Sequence, residues 1–289
     1  MRAFALPPGS LATKAPTLPF QHHAHLRRIH RMNTLLVTGS SSGFGLETAR
    51  LFHDRGWTVI ATMRTPRHDV LPASDRMRVV ALDVTDAAGI ARAVNEAGPV
   101  DVLVNNAGAG LMGALEGVSI DATRGLFELN TFGTIAMAQA MLPGFRAQGS
   151  GVIVNVSSAV TLKPLPLLSA YTASKAAVEA FSAGLALEVE PFGIRVRLIV
   201  PGRAPETSFS ATARAKSQSG IPEAYAAWAR QTFAAASQPP VEVTTAHDVA
   251  QAVWHAATDA SSSFRIPAGA DAMTLAAQVA LAPSRSTSV

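Results

Sequence analysis

Short β-prone runs alternate with helical stretches along most of this chain, and this alternation constrains the fold more than any other feature. Residues 100–104 and 152–156 are rich in β-branched side chains and show no regular alternation with polar ones. Such runs are typical of central strands that are covered on both faces. Strands separated by helices form βαβ units and a parallel sheet. The sequence therefore predicts one α/β domain, a doubly wound parallel sheet with helices on both faces.

A glycine-rich turn follows the first predicted strand, residues 34–37. Gly39, Gly43 and Gly45 have the spacing Gly-x3-Gly-x-Gly, and a helical stretch comes next. This order of strand, turn and helix directs backbone N–H groups and the positive end of a helix at a pyrophosphate. Glycine permits positive φ and close approach of the backbone. We expect a dinucleotide phosphate site here; a Ser/Gly-rich turn without a ligand is the alternative.

The second predicted strand, residues 57–63, ends at Arg64, with Arg67 close by and no carboxylate between them. In dinucleotide folds an acidic residue at this point binds the ribose 2′-hydroxyl, whereas an arginine accommodates a 2′-phosphate. The hydroxyls of Ser41 and Ser42 would add donors to that phosphate. The pattern favours NADP(H) over NAD(H), and the alternative is an exposed loop charge.

Tyr171 and Lys175 are four residues apart, next to a stretch at 176–190 whose apolar residues recur every three or four positions. Residues i and i+4 share one face of a helix. A phenol has an ordinary pKa of about 10, and a neighbouring positive charge lowers it. We therefore expect Lys175 to lower the pKa of Tyr171 and the pair to serve as a general acid and base. The alternative is a solvated helix face.

Taken in order, these motifs resemble those of the short-chain dehydrogenase/reductase family. The resemblance runs from about residue 33 to residue 269. The matching positions are residues 38–45, Asp83 and Val84, residues 105–108, Asn130, Ser158, Tyr171, Lys175, Pro201 and Gly202. It implies a Rossmann-like fold of about seven strands, bound NADP(H), a small carbonyl or alcohol substrate, and assembly into a homodimer or homotetramer.

The resemblance also implies a role for each site residue. Tyr171 would exchange a proton with the substrate oxygen, Ser158 would bind that oxygen, and Lys175 would hold the nicotinamide ribose. Asn130 would position a water that passes protons to Lys175. The cofactor-binding residues that it implies are Gly39, Ser41, Ser42, Gly43, Phe44, Gly45, Arg64, Asp83, Val84, Asn106, Ala107, Gly108, Tyr171, Lys175, Pro201, Gly202 and Thr207.

The segment after Gly202 departs from the family pattern, because Thr207 comes one residue later than the usual threonine. Its role in holding the carboxamide therefore stays open. Arg203 could pair with a substrate carboxylate or phosphate, or with Glu206.

Residues 203–240 are expected to form the substrate loop and lid. A helix predicted at 222–236 would place Tyr225, Trp228 and Thr232 on one side. That side could cover an apolar ketone or alcohol, or it could simply pack on the core. Four leucines before Tyr171 could line the same pocket: Leu162, Leu165, Leu167 and Leu168.

Charge and composition exclude several classes of function. Residues 1–31 hold five Arg or Lys residues and no Asp or Glu, so the net charge of +4 becomes −1 for the rest of the chain. A near-neutral domain lacks the basic footprint of a nucleic-acid-binding protein. No apolar run reaches the ~18 residues of a membrane span. The absence of cysteine excludes disulfides, thiol catalysis and Cys-ligated metals. We expect a cytoplasmic enzyme with no metal centre.

Residues 1–31 are interpreted as a basic extension of a domain that spans 32–289. They contain four prolines and show little periodicity, which predicts disorder. Met32 directly precedes the first strand, so an upstream start assigned in error is one interpretation and a targeting segment is the other. Four histidines in this segment are a compositional hint of metal binding only.

Three functional hypotheses follow from the sequence. The first is hydride transfer between NADP(H) and a carbonyl or secondary alcohol in an apolar substrate. The second is a noncatalytic dinucleotide sensor, against which the complete set Asn130, Ser158, Tyr171 and Lys175 argues. The third is an isomerase or dehydratase on the same fold, which would consume no cofactor. Fold alone does not separate them.

Overall fold

The computed structural model describes residues 33–207, 221–237 and 242–281. Within these ranges the chain forms one seven-stranded sheet. Its strands are β1 (Thr34–Thr38), β2 (Thr58–Met63), β3 (Met77–Ala81), β4 (Val102–Asn105), β5 (Gly151–Val156), β6 (Ile194–Pro201) and β7 (Arg265–Ala268). The predicted extension at 1–31 lies outside the described residues, as do residues 208–220 and 238–241 of the predicted lid.

The strands are all parallel and lie in the order β3-β2-β1-β4-β5-β6-β7. The chain winds outward from β1 to β3, then crosses to the other side of β1 and continues from β4 to β7. The direction of winding therefore reverses between β1 and β4. A crevice opens at such a point, beyond the carboxyl ends of the strands, and open α/β sheets bind ligands there. The predicted architecture is confirmed.

Helices cover both faces of the sheet. They are α1 (Gly43–Asp54), α2 (Ala87–Ala97), α3 (Ile120–Phe127), α4 (Gly133–Gln148), α5 (Ser169–Val189), α6 (Glu223–Ser237), α7 (Ala246–Thr258) and α8 (Ala270–Leu281). On one face, Phe52 of α1 and Val253 of α7 belong to a core cluster with alternate strand residues. On the other, Met137 of α4 and Leu185 of α5 pack in a second cluster.

The central strands explain why their sequences do not alternate. Every residue of β4 and β5 is buried, because one side chain enters each cluster in turn. Apolar side chains are therefore needed at successive positions. The predicted strands agree with the observed ones to within one or two residues at each end.

The start of α5 differs from the prediction. The helix begins at Ser169 rather than at residue 176, so Tyr171 and Lys175 lie inside its first two turns. The preceding turn places Leu167 at φ 63°, a left-handed conformation that costs a side-chain-bearing residue about 1–2 kcal/mol. The Leu167 side chain is buried, and its carbonyl accepts a 2.9 Å hydrogen bond from the Gly113 amide. Tertiary contacts therefore hold the strained turn that directs α5.

Candidate active site

The glycine turn after β1 is joined to the turn after β4. The Thr38 hydroxyl accepts hydrogen bonds from the Asn106 and Ala107 amides, both at 3.0 Å. The Asn106 side-chain amide donates to the Thr38 and Gly39 carbonyls at 2.9 and 3.1 Å. Two segments that are 66 or more residues apart thus form one rigid floor at the crevice.

The glycines are required by this close packing. A Cβ atom on Gly39 would lie 2.9 Å from the Cα of Ala107, and one on Gly45 would lie 2.5 Å from the Gly39 carbonyl oxygen. Gly39 and Gly43 also have positive φ values of 72° and 57°, which glycine adopts without strain. The structure therefore leaves the backbone of this turn bare, as close approach of a phosphate would need.

The start of α1 adds a second feature that fits a phosphate. Ser42 is the N-cap residue, but its side chain makes no capping hydrogen bond, and the first turn contains no acidic residue. The first N–H groups of a helix have no partner within the helix, and they favour an anion. The residues present therefore fit a dinucleotide pyrophosphate. Ser41 and Phe44 are half-buried and Ser42 is exposed, and their contacts with a cofactor remain predictions.

Arg64 lies exposed at the end of β2 and close to Asp83. Hydrogen bonds from the amide and hydroxyl of Thr85 hold the pKa of Asp83 below its usual value, and the charge of Arg64 adds to this effect. Arg67 instead pairs with Asp69 at 2.9 Å on the surface. Of the two arginines, Arg64 is thus the one beside Asp83, which was predicted to bind the cofactor together with Val84. The Val84 side chain is buried in the core.

Tyr171 and Ser158 are brought together by α5 and the end of β5. Tyr171 is only 4% exposed, and its hydroxyl is hydrogen-bonded to Ser158. Burial raises the pKa of Tyr171 to about 12, while the bond with Ser158 lowers it in part. The expectation that Lys175 lowers the pKa of Tyr171 is wrong, because desolvation of the phenolate outweighs every favourable contact.

Lys175 lies one turn further along α5 and is also buried. Its ammonium group donates a 2.9 Å hydrogen bond to the Val156 carbonyl, and burial lowers its pKa to about 8. A Cβ on Gly108 would lie 3.4 Å from Lys175 Nζ and 3.2 Å from Asn130 Oδ1. The turn after β4 therefore meets Lys175 and Asn130 at one point.

Asn130 lies in a wide π-helical turn, Glu128–Phe132, between α3 and α4. Its side chain accepts from the Ala109 amide and donates to the Ala109 carbonyl, both at 2.9 Å. It also donates to the Ser174 hydroxyl at 3.1 Å. Single-turn π segments are frequent at functional sites. Asn130 thus binds the loop beside Gly108, and a part in a proton path remains a prediction.

The turn at Pro201 and Gly202 is held by residues that the sequence did not identify. Thr244 accepts a 2.9 Å bond from the Gly202 amide, and Asp271 accepts a 2.6 Å bond from the Arg203 amide. Thr244 also bonds to Asp271 at 2.6 Å. Thr244 and Asp271 follow the turn by more than 40 residues, so no local pattern indicated their role.

Thr207 comes close to the glycine turn despite the longer segment. A Cβ on Gly43 would be 3.5 Å from the Thr207 methyl carbon. Its hydroxyl donates to the Ala204 carbonyl at 2.9 Å. The structure therefore places Thr207 at the crevice, although its role toward a carboxamide is untested.

The packed side of α6 is not the predicted one. Tyr225, Ala229 and Phe233 form its inward stripe and pack near Leu167, whereas Trp228 is 46% exposed. The stripe packs against Met112 and Ala114, which follow β4, and against Leu167. This agrees with the interpretation as a packed helix, and the lid remains a prediction. Of the four leucines, Leu168 packs beside Tyr171 and Leu165 is exposed.

The residues that the structure describes offer neither a cluster of metal-ligating side chains nor a helix that could cross a membrane. They contain no group of three His, Cys, Asp or Glu side chains arranged to hold a metal ion. None of their helices has the length and apolar composition that a bilayer crossing requires.

Comparison with known proteins adds independent findings. A family model described as short chain dehydrogenase matches residues 33–218. The chain is 40% identical over 172 residues to a 3-ketodihydrosphingosine reductase of Bacteroides thetaiotaomicron, covering 58% of this chain and 62% of that protein. It is 39% identical over 180 residues to human retinol dehydrogenase 8, covering 58% of each. The matches thus span about three fifths of these relatives.

A solved structure matches over a greater length. The crystal structure of a short chain dehydrogenase from Burkholderia cenocepacia in complex with NADP superimposes with a TM-score of 0.70 and 27% identity. The match covers 86% of this chain and 93% of that one.

Proposed function

The chain belongs to the short-chain dehydrogenase family, and on that premise we propose that it transfers a hydride between NADP(H) and a carbonyl or secondary alcohol of an apolar small molecule. The observation that carries the proposal is the buried hydrogen bond between Tyr171 and Ser158, one helical turn from Lys175. A cytoplasmic homodimer or homotetramer completes the proposal, and light scattering of the purified protein would test the assembly.

The crevice residues would hold the cofactor. Gly39, Gly43 and the start of α1 would bind its pyrophosphate, Arg64 its 2′-phosphate, and Lys175 its nicotinamide ribose. NADP(H), when bound, supplies or accepts the hydride, and the protein supplies position and charge. The turn at Gly202, which Thr244 and Asp271 hold in place, would form the wall beside the nicotinamide.

Tyr171 would act as the general acid in carbonyl reduction. Because burial raises its pKa to about 12, the phenol keeps its proton near neutral pH, which is the form that a proton donor needs. The Ser158 hydroxyl would fix the position of the substrate oxygen beside that proton. The pKa of the Lys175 ammonium is lowered to about 8, so this group would readily give up a proton when Tyr171 must be protonated again.

An apolar substrate is supported by the surroundings of the site. The inward stripe of α6 and Leu167 form an apolar cluster. The two relatives described above are a 3-ketodihydrosphingosine reductase and a retinol dehydrogenase, and their names support an apolar substrate. The substrate proposed here is therefore a ketone or secondary alcohol carried on a hydrophobic skeleton.

The substitution Tyr171→Phe tests the catalytic proposal. NADPH oxidation would be followed with a panel of apolar ketones, and NADPH binding by fluorescence. We expect kcat to fall by about 10²–10⁴-fold, the usual contribution of general acid catalysis, with NADPH affinity almost unchanged. Undiminished ketone reduction in this variant would refute the role of Tyr171. Product formation without net NADPH oxidation in the wild type would instead favour an isomerase.

Arg64→Gln tests the cofactor preference, with Arg67→Gln as the matched control because Arg67 is already paired with Asp69. Loss of a charged contact to the 2′-phosphate should raise the KM for NADPH about tenfold or more and leave the KM for NADH unchanged. A wild-type preference for NADH would refute the assignment of Arg64.

A further inference from the structure

Glu179 is a buried carboxylate that the proposed mechanism does not use. It follows Lys175 by one turn of α5 and Tyr171 by two, so the three side chains share one helix face. The residue is 8% exposed. A buried charge is costly unless it is paired and hydrogen-bonded. A buried Glu179 carboxylate therefore needs hydrogen-bond and charge partners, and the structure shows three of them.

The partners of Glu179 come from two other elements. Its Oε1 atom accepts hydrogen bonds from the Ser157 hydroxyl at 2.8 Å and the Thr161 hydroxyl at 2.6 Å. Its Oε2 atom forms an ion pair with the guanidinium group of Arg265 on β7. Arg265 supplies the countercharge, which leaves Oε1 to accept from both hydroxyls.

The two hydroxyl donors bracket Ser158 in the sequence. Ser157 immediately precedes it, and Thr161 ends the short 3₁₀ turn that follows it, Ala159–Thr161. The Thr161 hydroxyl is also 2.7 Å from the Ser158 carbonyl oxygen, so it is shared between that oxygen and Glu179. One carboxylate on the tyrosine-bearing helix thus binds both sides of the serine-bearing turn.

Val160 of this turn packs with Tyr171 in one apolar cluster, and only a few hydrogen bonds join the turn to the catalytic face of α5. One is the bond from Lys175 to the Val156 carbonyl, and another is the Tyr171–Ser158 bond itself. In the part of the chain that the structure describes, the bonds from Ser157 and Thr161 to Glu179 are the other hydrogen bonds between the turn and α5. The Ser157 amide is tied to β6 instead, through the Ile199 carbonyl at 2.8 Å.

We propose that Glu179, with Arg265 as its charge partner, is a positioning residue that fixes Ser158 relative to Tyr171. The inference rests on the proposed function for its kinetic consequence, but the positioning itself is a property of the cofactor-free protein. Misplacement of a reacting group by about 1 Å can cost about 10²-fold in rate. Glu179 would therefore act on turnover without touching substrate or cofactor.

Two substitutions at Glu179 distinguish the effect of its hydrogen bonds on Ser158 from the effect of changing the side chain at all. Glu179→Ala removes the acceptor for both hydroxyls and leaves Arg265 unpaired. Glu179→Gln keeps a hydrogen bond to each hydroxyl in either orientation of its amide, since a hydroxyl both donates and accepts. Glu188→Gln, an exposed carboxylate on the same helix, is the matched control.

The first readout needs no turnover. The chain contains two tyrosines, so protein labelled with ¹³C at tyrosine Cζ gives two NMR signals, and Tyr225→Phe assigns them. We expect the Tyr171 signal of Glu179→Ala to move to the position found in Ser158→Ala. Glu179→Gln and Glu188→Gln should keep the wild-type position. A wild-type Tyr171 signal in Glu179→Ala would overturn the proposal.

The second readout is kinetic. Glu179→Ala should lower kcat by about 10²-fold with the KM for NADPH unchanged, and Glu179→Gln should restore most of the rate. Equal losses in both variants would overturn the positioning role. If Glu179→Ala does not fold, Thr161→Val and Ser157→Ala replace it, since each removes one donor. A wild-type protein that reduces no ketone would defeat the proposed function, while the NMR comparison would still decide the positioning.

Discussion

Replacement of Lys175 by methionine should change the way stability depends on pH. Lys175 is 6% exposed, and its pKa falls from the ordinary 10.5 to about 8 on folding. Between these values the Lys175 position binds more protons in the unfolded chain than in the folded one, so the contribution of Lys175 to wild-type stability rises as the pH increases. Below pH 8 both states are protonated, and the folded state carries the full cost of a buried ammonium.

The magnitude follows from the shift. A difference of about 2.5 pKa units corresponds to about 3 kcal/mol at 1.36 kcal/mol per unit. About 2–3 kcal/mol of this cost should disappear between pH 7 and pH 10. Lys175→Met lacks this contribution. It also leaves the Val156 carbonyl without its 2.9 Å donor, a loss of about 1–3 kcal/mol that does not vary with pH.

The assay is urea-induced unfolding of the cofactor-free protein at several pH values from 7 to 10. The free energy of unfolding of the wild type, minus that of Lys175→Met, should grow by about 2–3 kcal/mol over this range. The range stops at pH 10 because Tyr171, with its pKa raised to about 12, makes stability fall above the ordinary value for a phenol. Lys163→Met, at an exposed lysine, should run parallel to the wild type. Parallel curves for Lys175→Met would refute the reasoning.

Two further predictions concern the walls of the crevice. Gly45→Ala places a Cβ 2.5 Å from the Gly39 carbonyl oxygen, so it should lower the free energy of unfolding by about 1–3 kcal/mol and abolish NADPH binding in a fluorescence titration. Asp271→Ala removes the acceptor of the Arg203 amide. It should cost about 1–2 kcal/mol in stability and raise the Kd for NADPH, as measured by calorimetry.

Each of these predictions has a control and a contrary result. Gly144→Ala adds a methyl group in α4 with no atom within 4 Å, and it should stabilise the helix by up to about 1 kcal/mol. Wild-type NADPH affinity in Gly45→Ala would show that the turn tolerates a side chain. Asp271→Asn keeps one acceptor, so its stability and its NADPH affinity should lie between those of Asp271→Ala and the wild type. A larger loss in Asp271→Asn than in Asp271→Ala would contradict the proposed role of Asp271 in holding the Gly202 turn.

The parts of the fold that local patterns encode were predictable. The strands β1, β2, β4 and β5, and the glycine turn after β1, follow from β-branched runs and from glycines at fixed spacings, whereas the count of seven strands came from the family resemblance. The start of α5 was missed, because most residues of its first two turns are small, such as Ser169, Thr172 and Ser174, and they carry no apolar period. The inward stripe of α6 was misassigned because its neighbours, such as Leu167, lie far away in the sequence.

The chemistry of the site was less predictable than its residues. Spacing indicated that Tyr171 and Lys175 share a helix face, but it gave no measure of how deeply the phenol is buried. Burial decides the direction of its pKa. The contacts of Asp271 and Glu179 reach partners 68 and 86 residues away, and no local pattern encodes such pairs. The catalytic and cofactor roles remain predictions that the substitutions above would test.

The π-helical turn at Glu128–Phe132 sets a phase difference between α3 and α4. This wide turn holds about one residue more than a regular helical turn, so the sequence positions that face the core shift by one residue, or about 100° of helix, between α3 and α4. Deletion of a single residue here would allow one regular helix to form with the packed sides of α3 and α4 retained, but it would remove the wide turn from which Asn130 reaches Ala109. We therefore expect a chain shortened within these five residues to keep its fold and to lose the contacts of Asn130.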